Sequence, residues 1–450
     1  FYWYKIFVDA MEIPQVAGLD RAKYFDIMYS ESTSKLVSLK DGKIESESIN
    51  SRGFACRVLN NAYGFCYTNA PSKKNVFSIV DKAIQLSLSK SGNAQESIAG
   101  RFQTSKQAFL VGKKNVLERS LEEDIAFVRD LAKQIKGKVQ VVLRAGIGLK
   151  SIGNVNATRE QTSSRVHLSL LSSDGSQLAT ESIGAVAGYE KLESACRVAE
   201  ELNVRLENLK KAKPLKKGKY TVVIDPKLSG VLAHEAMGHA SEADAVIAND
   251  SILKDMMGKR IAPEFISITD SPLLFDSTAY GSYAFDDEGM DAQETIIVQD
   301  GIVNSYLHSL YTSTRLGAKS TGNARRQDYS CMPIVRMSNT YFRPGEARVE
   351  ELFEGVSEGL YLKGMRGGSV EPLSGNFIFA AQEGFLIKNG EIGEPVLDAF
   401  LAGNIKETLF KIDLLANDFG TSVGHCGKAG QSVPVSDGGP HMRIREMRVG

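Results

Sequence analysis

The sequence has no excess of charge of either sign, since its 450 residues contain 54 Lys and Arg against 54 Asp and Glu. A protein devoted to nucleic-acid binding needs a clear basic excess for phosphate contacts, so the composition argues against that class. No uncharged apolar run approaches the roughly 18 residues of a membrane-spanning helix. With 42% hydrophobic and 24% charged residues, the composition is that of a soluble globular protein.

Cysteine is scarce and odd in number, which argues against a disulfide framework and fits a reducing cytoplasm. The five cysteines are widely spaced: Cys56, Cys66, Cys196, Cys331 and Cys426. The first ten residues are apolar, but they are too short and too aromatic for a signal peptide. Residues 1–10 can be interpreted as a leader, which makes Met11 a candidate natural start.

A lysine-rich stretch divides the chain into two predicted domains, residues 1–213 and 214–450. Six lysines lie between positions 210 and 219, interrupted by Pro214 and Gly218. A run of like charge with helix breakers is typical of a solvated connection. Because no aromatic residues are interleaved with these lysines, a nucleic-acid patch is the weaker alternative.

The first half is predicted to be an α+β domain. Strand-like segments at 24–29 and 35–49 include an Asp41-Gly42 hairpin signal. Ser120 and Glu123 form a capping box that opens a helix ending at Gly137. A meander of strands follows over 139–186, with a turn at 173–175, and a helix over 195–209 closes the half.

The second half is predicted to be mostly β, with one prominent helix near its start. Asp225 and Pro226 are typical of an N-cap and a first helical residue, so the helix should run over 228–239. Short strands with turn signals at 300–301, 367–368 and 389–390 follow it.

That helix contains the most informative motif, His234-Glu235-Ala236-Met237-Gly238-His239. Two imidazoles and a neighbouring carboxylate are what a hydrolytic zinc site needs, as metal ligands and as a base for water. However, residues five apart are separated by about 140° on an ideal α-helix. We therefore expect the helix either to widen locally into a π-bulge or to end before His239, with Gly238 as the natural point of departure.

A third ligand must come from elsewhere, and residues 424–431 offer both His425 and Cys426 in a glycine-rich turn. We favour Cys426, because neighbouring residues on extended backbone rarely face the same ion, and His425 is the rival. Two histidines and a thiolate would leave a fourth position open, the arrangement of a catalytic zinc site. Lys428 is followed by Ala429, so the phosphate-loop pattern fails.

These motifs, taken together, resemble the TldD/PmbA (TldD/TldE) family. The resemblance includes residues 234–239 with Glu242 and Asp244 beyond them, and continues through the segments 286–289, 321–326, 336–340 and 426–431. The first half is similar more loosely, through residues 57–69. The resemblance covers almost the whole chain.

The resemblance implies a zinc peptidase of the TldD type, the member that carries the intact motif. It implies one zinc ion per chain, held by His234, His239 and Cys426, with Glu235 as the catalytic acid and base. It also implies a TldD–TldE heterodimer that cuts small or unfolded peptides, such as microcin precursors and an antitoxin. We expect the chain to be dimeric, either with a TldE-like subunit or with itself.

Several other polar residues have two interpretations. Asp286, Asp287 and Glu288 could orient the metal-binding imidazoles, or they could form an ordinary acidic turn. Arg325 and Arg326 could hold a peptide carboxylate, or they could be a surface pair. The remaining histidines that lack partners at ligand spacing are interpreted as structural or exposed: His167, His308 and His441.

The alternative function is a non-catalytic regulator that binds gyrase or an antitoxin and uses zinc only as a brace. A structural zinc normally has four protein ligands, so a site that includes His425 or Asp244 would favour this alternative. Glu235 argues for catalysis, because a structural site has no use for a base. A redox role for Cys426 is weaker still, since no resolving cysteine lies nearby in sequence.

Overall fold

A computed structural model describes residues 19, 22–70, 72–89, 104–154 and 157–450 of the chain. The interpretation of residues 1–10 as a leader and of Met11 as a start lies outside these residues. Strands dominate, especially in the second half, and helices cover the sheets. The predicted α+β fold class, with a mostly β C-terminal half, is confirmed.

The first half is built on one seven-stranded sheet with the order β3-β2-β1-β5-β6-β4, in which β7 also pairs with β6. Its strands are β1 (Tyr24–Lys40), β2 (Lys43–Leu59), β3 (Tyr63–Thr68), β4 (Lys106–Leu110), β5 (Lys138–Gly153), β6 (Thr158–Ser173) and β7 (Leu178–Ala185). Its helices are α1 (Lys73–Ser89), α2 (Leu121–Ala132) and α3 (Ala195–Lys211), with a 3-10 turn over Tyr189–Ser194. Two apolar clusters hold these helices against the sheet.

The local signals of the first half are mostly confirmed. Asp41 and Gly42 join two 17-residue strands, which are longer and more continuous than the separate segments predicted. The capping box of Ser120 and Glu123 is present. Its helix ends at Ala132 rather than at Gly137, because the next residues tighten into i→i+3 turns before Gly137 adopts a positive φ.

The second half contains sixteen strands. They are β8 (Lys213–Pro214), β9 (Gly218–Ile224), β10 (Ile268–Asp270), β11 (Thr295–Gln299), β12 (Ile302–Val303), β13 (Ala324–Arg325), β14 (Ile334–Val335), β15 (Asn339–Phe342), β16 (Glu358–Glu371), β17 (Asn376–Lys388), β18 (Glu391–Leu397), β19 (Phe400–Asn404), β20 (Ile412–Leu415), β21 (Gly420–Lys428), β22 (Gln431–Gly439) and β23 (Met442–Val449). Its helices are α4 (Pro226–Val231), a π-helix (Leu232–Gly238), α5 (His239–Ser241), α6 (Ala243–Ile247), α7 (Leu310–Leu316) and α8 (Ile405–Lys411), with a 3-10 turn over Val349–Leu352.

These strands form two large sheets and one small one. The six-stranded sheet has the order β12-β11-β10-β15-β22-β21, and β13 pairs with β14. The eight-stranded sheet has the order β16-β9-β23-β19-β17-β18-β8, with β20 beside β23, and an added β16–β17 pairing closes five of its strands into a ring. Helix α4 and the π-helix lie in the apolar core shared by these sheets, so close packing with buried side chains holds the histidine motif in place.

Two of the three turns predicted in the second half are present, and one is absent. The turn predicted at residues 367–368 is wrong, because both glycines lie inside β16, where its register with β17 shifts. Asp300-Gly301 and Asn389-Gly390 do form turns with positive φ. The six lysines between positions 210 and 219 are exposed, but only Lys216 and Lys217 lie in a connection, since the others belong to α3, β8 and β9.

A buried ionic cluster joins the two halves. Arg57 of β2 pairs with Asp26 of β1 and, at 2.7 Å, with Glu288 of the second half. All three side chains are at most 3% exposed, so removing one would leave its partners buried and uncompensated. In the part of the chain that the structure describes, no helix combines the length and the apolar character needed to cross a bilayer.

Candidate metal centre

The helix that carries the two motif histidines changes its geometry at the motif. Asp225 caps its start by accepting a hydrogen bond from the Leu228 N–H at 2.9 Å. From Leu232 the backbone becomes π-helical, and the His239 N–H donates to the carbonyl of His234. Such i→i+5 bonding brings residues five apart onto the same side of the helix. The predicted departure from α-helical geometry is therefore confirmed, but it begins at Leu232 rather than at Gly238, where the π-helix ends.

Gly238 allows the π-helix to pack closely against Met337, which lies in the connection between β14 and β15. A Cβ atom at this position would lie 1.9 Å from the Met337 sulfur, and Met337 is fully buried. Only glycine leaves room for that contact without displacing Met337. The residue just before His239 is thus fixed by packing as well as by the π-helix.

Strand β21 brings Cys426 to the two histidines. The Cys426 Sγ lies 3.5 Å from His239 Nε2, and one ligand atom from each of His234, His239 and Cys426 falls within 4.8 Å of the others. Because side chains alternate along a strand, His425 faces away and contacts Tyr280 at 3.4 Å. The rival residue His425 does not belong to this cluster.

Glu242 orients the ring of His239, although the sequence analysis assigned this carboxylate no role. Glu242 Oε2 lies 3.0 Å from His239 Nδ1, which leaves Nε2 facing Cys426. Lys428 holds Glu242 at 3.2 Å and also binds Asp244 at 2.7 Å, so this lysine ties β21 to the histidine helix. The signal available in the sequence was the spacing of three residues between His239 and Glu242.

The electrostatics of the cluster favour a thiolate. Burial acts to raise the pKa of Cys426, but hydrogen bonds and positive charge from His234 and His239 lower that pKa to about 5. Burial acts to lower the pKa of His239, but Cys426 and Glu242 raise it to about 10. The thiolate is the form of cysteine that binds metal ions. A metal ion would displace the imidazole proton on binding.

The donor set fits a zinc ion. Tetrahedral zinc with nitrogen and sulfur ligands places neighbouring donor atoms about 3.3–3.6 Å apart, and the Cys426–His239 distance is 3.5 Å. His234 Nδ1 is buried without a hydrogen-bond partner among the described residues. A buried nitrogen of this kind needs a partner from outside the protein, which an ion or a water molecule can provide.

Two carboxylates lie near the cluster, Glu235 on its accessible side and Asp437 in a partly buried position. The Glu235 side chain is 33% exposed, and its Oε2 lies 4.0 Å from His239 Nε2. Asp437 of β22 accepts a hydrogen bond from Ser422. Burial raises the pKa of Asp437, and the charge of Glu235 opposes its ionisation further, whereas His234 favours it. The sequence analysis did not identify Asp437, since nothing in its local pattern marks it.

The other predicted polar residues lie elsewhere. Asp286, Asp287 and Glu288 are buried, but they contact backbone groups and the cations Lys150 and Arg57 rather than the imidazoles. The prediction that they orient the imidazoles is therefore wrong. The acidic turn is present, since the Gly289 N–H donates to the Asp286 carbonyl at 3.2 Å. Within it, Asp287 and Glu288 neutralise cations at the junction of the two halves. Arg325 and Arg326 are 5% and 6% exposed, so the surface-pair interpretation is also wrong.

The remaining histidines have structural surroundings. His167 packs against Tyr280, and His308 lies 3.3 Å from Thr312. His441 Nδ1 lies 2.7 Å from Asp418. The interpretation of these three as structural or exposed holds for the contacts described.

Comparisons with known proteins find relatives that are described as metallopeptidases or metalloproteases. Residues 217–450 match the family described as the PmbA/TldA metallopeptidase C-terminal domain, and residues 25–87 match PmbA/TldA metallopeptidase domain 1. A metalloprotease from Methanocaldococcus jannaschii is 38% identical over 439 residues, which cover 94% of this chain and 96% of that protein. A zinc metalloprotease TldD homolog from Saccharolobus solfataricus is 41% identical over 254 residues, 56% of each protein.

Two solved structures have the same fold. TldE from Thermococcus kodakarensis superposes with a TM-score of 0.77 at 16% identity, over 98% of this chain and 100% of that one. A putative modulator of DNA gyrase from Thermotoga maritima gives a TM-score of 0.75 at 21% identity, over 95% of this chain and 96% of that one. At these identities the likeness concerns the fold alone.

Proposed function

Since the chain belongs to the TldD/PmbA family of metallopeptidases, we propose that it is a zinc-dependent peptidase that cuts small or unfolded peptides. One observation carries the proposal: a cluster of His234, His239 and Cys426 lies beside the accessible carboxylate of Glu235. Ligands and base in that arrangement suit metal-assisted hydrolysis.

The proposed ligands are His234, His239 and Cys426, holding one zinc ion per chain. Two imidazoles and a thiolate favour zinc over harder divalent ions. Three protein ligands leave a fourth position open, as catalytic sites do. When bound, zinc would supply Lewis acidity at this centre. Glu242 acts through His239, because it fixes the tautomer and the direction of that ring.

Glu235 is the proposed general base and acid. Its carboxylate takes a proton from the attacking water and passes it to the leaving amine when the peptide bond breaks. The side chain is exposed enough to meet a substrate, yet it stays 4.0 Å from the His239 ring. A residue that served only to brace a metal would not need this carboxylate.

The strand that carries Cys426 suits an extended substrate. Strand β21 is the edge strand of the six-stranded sheet, so one side of its backbone has no strand partner in the described sheet. At Gly424 and Gly427 an added Cβ would meet no described atom within 4 Å. An extended peptide that paired with this edge would be bound through its backbone, which is tolerant of sequence.

The contacts also bear on the alternative of a zinc-braced regulator of gyrase or antitoxin-type partners. That alternative needs a fourth protein ligand. His425 faces Tyr280, and Asp244 is engaged by Lys428. Neither residue joins the cluster, which favours the catalytic proposal.

We further propose that the chain works as a dimer, with a TldE-like subunit or with itself, in the cytoplasm. Membership of a family that includes both TldD-named and TldE-named chains supports a pairing between similar chains. The five cysteines are all unpaired, which supports a reducing compartment.

Metal content, mass and activity measured on the same sample would test the proposal. We expect one zinc ion per chain, a dimeric mass by light scattering, and cleavage of an unstructured peptide that a chelator stops and zinc restores. Cleavage that survives complete removal of metal would refute the zinc mechanism. A fully active monomer would refute the proposed assembly.

The orienting role of Glu242 gives a separate prediction. Glu242→Gln keeps the size of the side chain but weakens its bond to His239, so zinc affinity should fall about 10–100-fold, as for other partners of metal-binding histidines. The matched control is Asp244→Asn, which also loses a carboxylate contact to Lys428 but touches neither histidine. Zinc titration against a competing chelator measures both variants. Equal losses in the two would assign the effect to Lys428 instead.

A further inference from the structure

A cavity of about 230 Å³ lies between the first sheet and the second half, apart from the metal cluster. Four cationic side chains line it: Lys150, Arg165, Arg325 and Arg326. Pro434 of β22 also lines it and is paired with His425 of β21. Because directly paired residues share one face of a sheet and His425 faces away from Cys426, the cavity lies on the opposite face of the β21–β22 hairpin.

Two of these arginines, Arg165 and Arg325, donate their hydrogen bonds only to uncharged groups. Arg165 donates to a hydroxyl and two carbonyls, and Arg325 donates to two carbonyls at 2.6 and 2.8 Å. Arg325 also lies over the ring of Tyr283. Within the described chain, neither guanidinium has a carboxylate at ion-pair distance. Burial lowers the pKa of Arg165 to about 10, as expected for a cation removed from water.

Arg326 is the least satisfied of the four. It is 6% exposed, and its Nε and Nη1 are buried with no hydrogen-bond partner among the residues described. Its Nη2 has only a long contact of 3.4 Å, to the carbonyl of Asp287. Two donors of a buried cation are thus left for a group from outside the chain.

The carboxylates of the cavity wall are already engaged. Asp287 binds Lys150 at 3.2 Å and accepts the backbone N–H of Arg326 at 3.0 Å. Asp328 accepts from Ser330, and Glu31 accepts from Tyr29 at 2.7 Å. Among the lining residues, four cations therefore face three carboxylates, and Lys150 takes the carboxylate of Asp287.

An unpaired buried cation is strongly unfavourable, so an anion that binds it would be stabilised there. We propose that this cavity binds a carboxylate group, held by Arg326 together with Arg325 and Arg165. Guanidinium groups match carboxylates in charge and in planar shape. The cavity is several times the roughly 30 Å³ that one water molecule occupies in the liquid, which leaves room for a small carboxylate-bearing group. The carboxylate could belong to the free end of a peptide or to a small organic acid.

Calorimetric titration with three probes would test the proposal: N-acetyl-dialanine, its C-terminal amide, and acetate, all at constant ionic strength. We expect the acid to bind at least 10-fold more tightly than the amide. Acetate binding as tightly as the dipeptide acid would identify a small acid as the source, and weaker acetate binding would identify a peptide end. Equal binding of acid and amide, or no binding of either acid, would refute the site.

The variant Arg326→Met tests whether the dipeptide acid binds in this cavity. It removes the charge at similar size, so we expect at least a 10-fold loss of affinity for the acid, whereas Arg326→Lys should retain part of it. Replacing an unpaired buried charge by an apolar side chain is often neutral or stabilising, so the variant should fold. The control is Arg197→Met, since Arg197 is exposed on α3 and pairs with Glu201. Unchanged binding in Arg326→Met would refute the proposal independently of any peptidase activity.

Discussion

Replacing Glu235 with Gln is expected to lower peptide hydrolysis by about 10²–10⁴-fold, the usual effect of removing a positioned general base. The amide keeps the size of the side chain and its capacity for hydrogen bonds, but it cannot accept the proton of the attacking water. The bound metal should remain, because His234, His239 and Cys426 are untouched. Zinc analysis and a peptide-cleavage assay on the same preparation measure both quantities.

A matched control is Glu200→Gln, which removes a carboxylate from an exposed position on α3. This variant should cleave peptides at the parental rate. If Glu235→Gln also cleaves at the parental rate with its zinc in place, the proposed mechanism is wrong. If it loses zinc as well, Glu235 would be a ligand rather than a base.

The helical part of the centre could be predicted because its evidence is local. Histidines five residues apart cannot share one side of an ideal α-helix, so the expectation of a π-bulge followed from spacing alone. The position of the departure differs from the expectation, since the π-helix begins at Leu232 and ends at Gly238, which packs against Met337 where a Cβ would clash. That contact joins residues 99 positions apart, which no local pattern reveals.

The strand part of the centre was harder to predict, because neighbouring residues on a strand face opposite sides. The choice between His425 and Cys426 depends on which face of β21 meets the helix, and pairing with β22 decides this. The role of Glu242 could have been found from its spacing to His239. The position of Asp437 beside the cluster could not, since it depends on how β22 packs against the histidine helix.

The same limit applies to the charged segments at 286–288 and 325–326. Charged residues are mostly exposed, so an acidic turn and a surface pair were reasonable interpretations. Segment 286–288 is buried because Asp287 and Glu288 pair with Lys150 and Arg57 of the first half. Arg325 and Arg326 are buried against backbone carbonyls instead. Burial that arises from packing between distant segments leaves no periodic signature in the sequence.

Replacing Cys426 with Ser is expected to lower zinc affinity by more than about 100-fold, which exceeds the effect of losing an orienting partner of a ligand. Burial acts to raise the pKa of the Cys426 thiol, but the two histidines lower it to about 5, so the thiolate is available at neutral pH. A serine hydroxyl at the same position stays protonated and is a poor ligand for zinc. Hydrolysis should be lost together with the metal.

Two control variants sharpen this test. Cys196→Ser changes an exposed cysteine and should leave zinc content unchanged. His425→Asn removes the rival ligand, and it should also keep the metal, because His425 faces Tyr280 on the other side of β21. Zinc titration against a chelator compares all three variants. Metal retained in Cys426→Ser but lost in His425→Asn would reverse the ligand assignment, and it would require β21 to turn its opposite face to the histidine helix.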